Sequence, residues 1–220
     1  MPGSYDPMNY FAHGQAFVDE PYLLAGTAVP DWLSVVNRRA RVRSRHAAVL
    51  VDSADERTRQ LGAGIARHLA DDAHFHATPA FAELSLKFCA ELRTVLSEAA
   101  DFRPWFVGHV LVEILLDAHL IAEQPARLER YYAALDAIDG DHIEAAVGDV
   151  ATASVDNLAA FVEAFSRERF LWDYLDDGRL LYRMNQVMRR VGLAPLPAET
   201  CELLPACRVA VASHAAQLLA

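Results

Sequence analysis

Between Trp105 and Ala122 the chain is apolar at almost every position, and three of its polar exceptions, His109, Glu113 and Asp117, recur every four residues. Four residues turn an α-helix by about 400°, so successive members are offset by about 40° and share one face. A helix apolar around the rest of its circumference must be buried. The stripe therefore carries two carboxylates into an interior, where an unpaired charge costs several kcal/mol. A divalent cation would neutralise them directly, and Lys or Arg partners would be the alternative. With His119 added, the segment holds too many ionisable groups for an ordinary membrane span, and a buried helix is expected instead.

The same spacing occurs upstream, where His68, Asp72 and His76 are also four apart. Two such stripes predict two internally facing helices around a shared cation. The outer members of each stripe are separated by about 12 Å along the axis, too far for all three to reach one ion through bonds of about 2.0–2.3 Å. Each helix can thus offer one chelating pair per ion. Either two ions share the middle residue as a bridge, or the outer residues serve substrate contact and proton transfer.

The surroundings of these stripes predict an all-α protein. Hydrophobic residues make up 53% of the 220 positions, with few β-branched runs, which favours helices with broad buried faces. No stretch reads as a linker, so one domain over 1–220 is expected, a bundle of about nine helices. Asn9 is placed as the cap of a short helix through His13. Pro21 opens a segment to Val29, and Pro30 is expected to break it, leaving Asp31 at a junction. The Arg-rich stretch Arg38–Arg45 and the piece Ala47–Val51 are expected to be irregular. Longer helices are predicted from Ser53 and Asp55 to His76, from Pro79 to about Ala99, and over Pro104–Ala122, Pro125–Ile138, His142–Ala153, Val155–Tyr174, Asp177–Val191 and Pro197–Leu219. Met1–Pro7 reads as a frayed lead.

A formal net charge of -10 opposes general nucleic-acid binding, which needs a positive counter-surface. The beginning of the chain lacks a signal-peptide layout, and Cys89, Cys201 and Cys207 have no paired spacing, so a cytoplasmic setting is expected. The five arginines from Arg38 to Arg45 could clamp a phosphate or simply form a solvated loop. His74, His119, His142 and His214 lack a matched partner, and Asp176-Asp177 reads as a helix cap. His13 and Asp31, taken alone, read as a core histidine and a cap. No Gly-rich phosphate loop, Ser nucleophile elbow or Cys-His pair is present in the sequence.

Taken in order, these motifs resemble the acyl carrier protein phosphodiesterase family, an all-helical, metal-dependent branch of the HD phosphohydrolase superfamily. The matching stretches are Met8-Asn9-Tyr10-Phe11-Ala12-His13, then Gly26 to Asp31, then Gly64, Ile65, His68, Asp72 and Pro79, and finally Glu113, Asp117 and Leu120. A weaker likeness runs through Phe170 to Arg190. Ala66 stands where members often carry His, Leu69 where Arg is common, and His76 and Glu113 where Asp is usual. The resemblance implies an HD-phosphohydrolase-like fold and a metal set drawn from His13, Asp31, His68, Asp72, His76, His109, Glu113 and Asp117. It also implies one or two divalent ions (Mn, Fe, Zn or Mg) and a small-molecule or phosphopantetheine-type phosphoester as substrate. Acyl carrier protein is the partner it suggests, although two acidic proteins repel except at a basic patch such as Arg38–Arg45.

The expected activity is hydrolysis of a phosphoester, foremost a phosphodiester, by metal-activated water, with Asp72, His109 and Glu113 as ligands or acid/base groups. The rival expectation is a non-catalytic helical protein with a structural ion or a buried ion-pair network. Hydrolysis of another bond, such as an amide or a phospholipid ester, is a third. The sequence leaves the oligomeric state open.

Overall fold

The computed structural model describes residues 9–96 and 103–220, and among them every regular element is helical. In chain order the α-helices are α1 (Tyr10–Gly14), α2 (Pro21–Val36), α3 (Ser44–Val51), α4 (Glu56–Ala77), α5 (Pro79–Val95) and α6 (Pro104–Glu123). They continue as α7 (Pro125–Asp136), α8 (Gly140–Gly148), α9 (Leu158–Glu168), α10 (Asp177–Arg190) and α11 (Leu204–Leu218). Three 3-10 segments accompany them: Gln15–Phe17, Phe170–Leu175 and Ala198–Glu202. The expected all-α class holds, with eleven α-helices among the described residues instead of about nine. The Met1–Pro7 lead, Met8 and the expected continuation of the Pro79 helix beyond Leu96 to about Ala99 lie outside the described residues.

Contacts divide the chain into two compact units, each assembled from separated stretches, so no single linker marks a boundary. One unit comprises Tyr10–Ala73 and Gln124–Arg169, and the other His74–Glu123 and Phe170–Ala220. In the first, α2 is buried along most of its length by Leu24, Ala25, Ala28, Val29, Trp32 and Leu33. Its aromatic core joins Tyr10 and Trp32 to Phe165 at centroid separations of 5.0 and 5.5 Å, and Phe11 to Tyr131 at 5.9 Å. In the second, α6 is buried on nearly every side and packs against α5, α11 and Phe170–Leu175. By length and composition α6 could cross a membrane, yet most of it is buried inside the structure.

Several local expectations are corrected. Helix α2 runs straight through Pro30, so Asp31 lies inside a helix and not at a junction. A proline within a helix costs about 3 kcal/mol, but burying an apolar side chain returns about 1.5–3 kcal/mol, and α2 buries several. Asn9 does not cap α1, because its Oδ1 is buried without a hydrogen-bond partner. The stretch after the arginines is the helix α3, with Ala47 and Leu50 buried three positions apart and Val49 exposed. The helix expected to continue to Tyr174 stops at Glu168, because Arg169 takes a left-handed φ of 47° and the chain re-forms as a 3-10 segment.

Two helix starts follow the sequence signals. Asp176 accepts the Arg179 amide at 2.9 Å, capping α10. Thr78 caps α5, its Oγ1 accepting from the Phe81 amide at 3.2 Å while donating to the Phe75 carbonyl at 2.8 Å. Pro79 sits at the first helical position, where its missing N–H matters least. Thr78→Ala is expected to cost about 1 kcal/mol in urea unfolding, and Thr78→Ser to retain most of that stability.

Candidate metal centres

The sequence-predicted ligands collect into two groups, one within each unit: His13, His68 and Asp72 in the first, and His76, His109 and Glu113 in the second. In each group one donor atom per residue lies within 4.8 Å of the other two. Helix α4 supplies both, since His68 and Asp72 precede the unit boundary and His76 follows it.

In the first unit, the approach of α2 and α4 is set by glycine. A Cβ on Gly64 would lie 2.1 Å from the Leu23 carbonyl oxygen and 2.8 Å from the Gly26 Cα; one on Gly26 would lie 2.3 Å from the Leu61 carbonyl oxygen. Only two residues without side chains permit that crossing. Asp31 lies five residues after one glycine and His68 four after the other, about one helical turn beyond the contact. They consequently meet, with His68 Nε2 3.8 Å from Asp31 Oδ1. Gly14, at the end of α1, lets the short helix approach the Tyr131 ring and Thr27 in the same way. His13 then lies against His68 with ring centroids 4.4 Å apart.

The two imidazoles are shielded from water, His13 and His68 being 5% and 2% exposed, as is the neighbouring Asp31, whereas Asp72 is half-buried. His13 Nε2 is buried and has no hydrogen-bond partner, while His68 meets the Thr27 backbone. Burying a polar nitrogen unsatisfied costs about 1–3 kcal/mol, and donor atoms of His13, His68 and Asp72 lie within 4.8 Å of one another, a set suited to an ion. Burial pushes the His68 imidazole down to about 3, with His13 adding to the effect and Asp72 opposing it. At neutral pH the ring is therefore uncharged and keeps the lone pair a metal requires.

Asp71 was not among the expected ligands, yet it organises the group. Its Oδ2 lies 4.0 Å from His13 Nδ1 and 2.7 Å from Arg67 Nε. Burial raises the Asp71 carboxyl, but His13 and Arg67 outweigh it and hold the group below its ordinary value. A carboxylate on the Nδ1 side of His13 leaves Nε2 as the nitrogen available for coordination. The Arg67/Asp71 spacing of four was the available signal.

In the second unit, His109 and Glu113 stand on one face of α6, as their spacing predicts, and meet His76 from the last turn of α4. The two Nε2 atoms lie 2.9 Å (His76) and 3.1 Å (His109) from the same Glu113 Oε1. Glu113 is fully buried; burial pushes its carboxyl up, and the imidazoles of His109 and His76 reverse this and hold it below its ordinary value. Asp117 is also fully buried on α6 but belongs to neither three-donor group, nor does Asp31 despite its approach to His68.

Four of the five remaining histidines have the following surroundings, and the fifth, His46, accepts from Arg45 Nε at 3.0 Å. His142 Nε2 is 3.1 Å from Thr58 Oγ1, His119 is 3.6 Å from Glu123, and His214 Nδ1 is 2.8 Å from the Ala210 carbonyl; His74 is exposed. A cleft of about 890 Å³ in the first unit is lined by Asp136, Asp139, Asp141, Glu144, Glu163 and Arg167, among others, and includes none of the candidate ligands. Comparison with protein-family models, characterised proteins and solved structures finds no match.

Proposed function

We propose that the protein is a metal-dependent phosphoester hydrolase, acting foremost on a phosphodiester, with its ion held by His13, His68 and Asp72. The observation that carries this reading is the convergence of His13, His68 and Asp72, one donor atom of each lying within 4.8 Å of the others, with His13 Nε2 buried and without a hydrogen-bond partner. Two imidazoles and a carboxylate suit Mn, Fe, Zn or Co better than Ca, whose ligands are oxygens. A bound divalent ion supplies Lewis acidity toward phosphoryl oxygens and makes water more acidic. The chain's own residues do the rest. His68 offers a neutral ring, Asp71 orients His13, Asp31 places a buried carboxyl 3.8 Å from His68, and Asp72 completes the donor set.

The resemblance to acyl carrier protein phosphodiesterases and HD phosphohydrolases supports the same reaction class, with a phosphopantetheine-type ester as substrate and a cytoplasmic setting. An acidic carrier protein would have to dock at a basic patch, and Arg38, Arg39, Arg43 and Arg45 are exposed. The rival reading, a buried ion-pair network without catalysis, draws on the close contacts of Glu113 with two histidines.

Elemental analysis of the protein as isolated, followed by assays of nitrophenyl phosphodiesters and monoesters with Mn²⁺, Fe²⁺, Zn²⁺ or Mg²⁺, tests the proposal. Metal-dependent release of nitrophenol is expected, lost in Asp72→Ala and His68→Ala and retained in His142→Ala. Protein without metal and without turnover, or activity unaffected by Asp72→Ala, would overturn it.

A further inference from the structure

We infer that His76, His109 and Glu113 form a second cation site, an open, three-ligand site for a divalent transition metal that binds independently of His13, His68 and Asp72. The inference does not depend on hydrolysis. It rests on the geometry of three side chains brought together within one unit.

The first observation is convergence on one oxygen. Both Nε2 atoms lie close to Glu113 Oε1, at 2.9 Å for His76, which is hydrogen-bonded to it, and at 3.1 Å for His109. Bonds of about 2.0–2.2 Å place neighbouring ligand atoms about 3.0–3.5 Å apart in octahedral or tetrahedral coordination. The two nitrogen–oxygen separations already stand close to that spacing, and all three donors lie within 4.8 Å of one another, so side-chain shifts alone would admit an ion among them.

The second observation is that the rings are fixed by packing. His76 and His109 stack with centroids 4.7 Å apart and planes 24° from parallel. Phe81 meets both nearly edge-on, at 4.6 Å and 79° for His76 and 4.7 Å and 88° for His109. Phe81 is itself fixed at the start of α5, where its amide is held by Thr78. Two imidazoles held in one orientation lose little entropy on coordination, which is the supporting shell a metal site requires.

The third observation concerns access. Glu113 is fully buried, whereas the side chains of His76 and His109 are 25% and 15% exposed. The carboxylate forms the floor and the imidazoles form one partly wet wall. Three protein ligands with an exposed side leave coordination positions for water or an exogenous anion, the pattern of reactive sites as opposed to closed structural ones. Two nitrogens and one carboxylate oxygen select zinc, iron(II), cobalt(II) or nickel(II) over magnesium and calcium.

Chelator-stripped full-length protein titrated with Co²⁺ provides the test, read by visible absorption and by metal per chain after dialysis. The His13→Ala/His68→Ala double variant is expected to bind one Co²⁺ per chain. Adding His76→Ala, a partly exposed position, or the near-isosteric Glu113→Gln should weaken that binding at least tenfold. His76→Ala alone should remove one ion from the wild-type count, which serves if the double variant does not fold. A double variant that folds and binds no Co²⁺, or binding unchanged by His76→Ala and Glu113→Gln, overturns the inference, and the contacts of Glu113 are then hydrogen bonds without an ion. A protein that hydrolyses nothing while the double variant holds Co²⁺ sinks the hydrolase and leaves this site standing. Hydrolysis with no Co²⁺ in the double variant does the reverse.

Discussion

Gly64→Ala is expected to lower stability by at least about 2 kcal/mol and to weaken metal binding at the His13–His68–Asp72 group, although alanine is the better helix former. In a helix interior the exchange favours folding by about 1 kcal/mol on propensity alone. Against that stands a methyl group 2.1 Å from the Leu23 carbonyl oxygen and 2.8 Å from the Gly26 Cα. Overpacking a core costs about 1–3 kcal/mol when side chains can adjust, and more where the obstacle is backbone, as it is here. The relief available is separation of α2, and of α1 packed on it, from α4, which draws His13 away from His68, whose ring centroids are now 4.4 Å apart. Stability and metal affinity should therefore fall together. Gly148→Ala is the control, because a Cβ there would meet nothing closer than Val155 Cγ2 at 3.5 Å, an ordinary contact. Thermal unfolding of the two variants, with and without Mn²⁺ or Zn²⁺, checks this. An unchanged midpoint in Gly64→Ala would mean that the crossing is not held at the observed distance.

That crossing also explains which parts of the molecule were legible in the sequence. The stripe His109–Glu113 is readable because a period of four on an apolar helix has one physical meaning, and the two residues do share a face. The same arithmetic anticipates that Asp117 need not join them, since each step of four advances about 6 Å along the axis. Periodicity identifies a face but not the neighbour it meets. It placed His68, Asp72 and His76 on one stripe, yet the chain apportions them between two packing units. Asp31 read as a cap because Pro30 is a strong local break signal, and the break is overridden by the tertiary burial of α2, which local rules do not contain. His13 read as a core residue because nothing nearby in sequence pairs with it; its partner, His68, is 55 positions away. Asp71 was missed because an Arg four residues before an Asp ordinarily describes a solvated surface pair. Here only the Arg67 half of the pair is well exposed, and the carboxylate also faces His13.

The metal-free protein is expected to lose stability in two acid steps, the first near pH 6.5 and the second below about 4.5. His68 carries the first. Its folded pKa, about 3, lies below the ordinary 6.5 because the buried ring resists a charge. Between those values the unfolded chain binds a proton that the folded chain does not, so stability rises with pH across the window and is complete above about 6.5. Each unit of pH is worth up to about 1.4 kcal/mol, which makes the loss about 2 kcal/mol by pH 5. Glu113 carries the second step with the other chemistry. Its folded carboxyl sits below its ordinary 4.5, so the stability it contributes is present above that value and disappears as pH falls through the folded one. The two groups lie in different units and can be removed separately. In urea midpoints measured from pH 7 to 3 on chelator-treated protein, His68→Leu should flatten the step near pH 6.5 and leave the lower one. Glu113→Gln should blunt the lower step alone. A wild-type midpoint constant between pH 7 and 5 would mean that the His68 ring is not held uncharged, and with it would go the reason for regarding that nitrogen as ready for an ion at neutral pH.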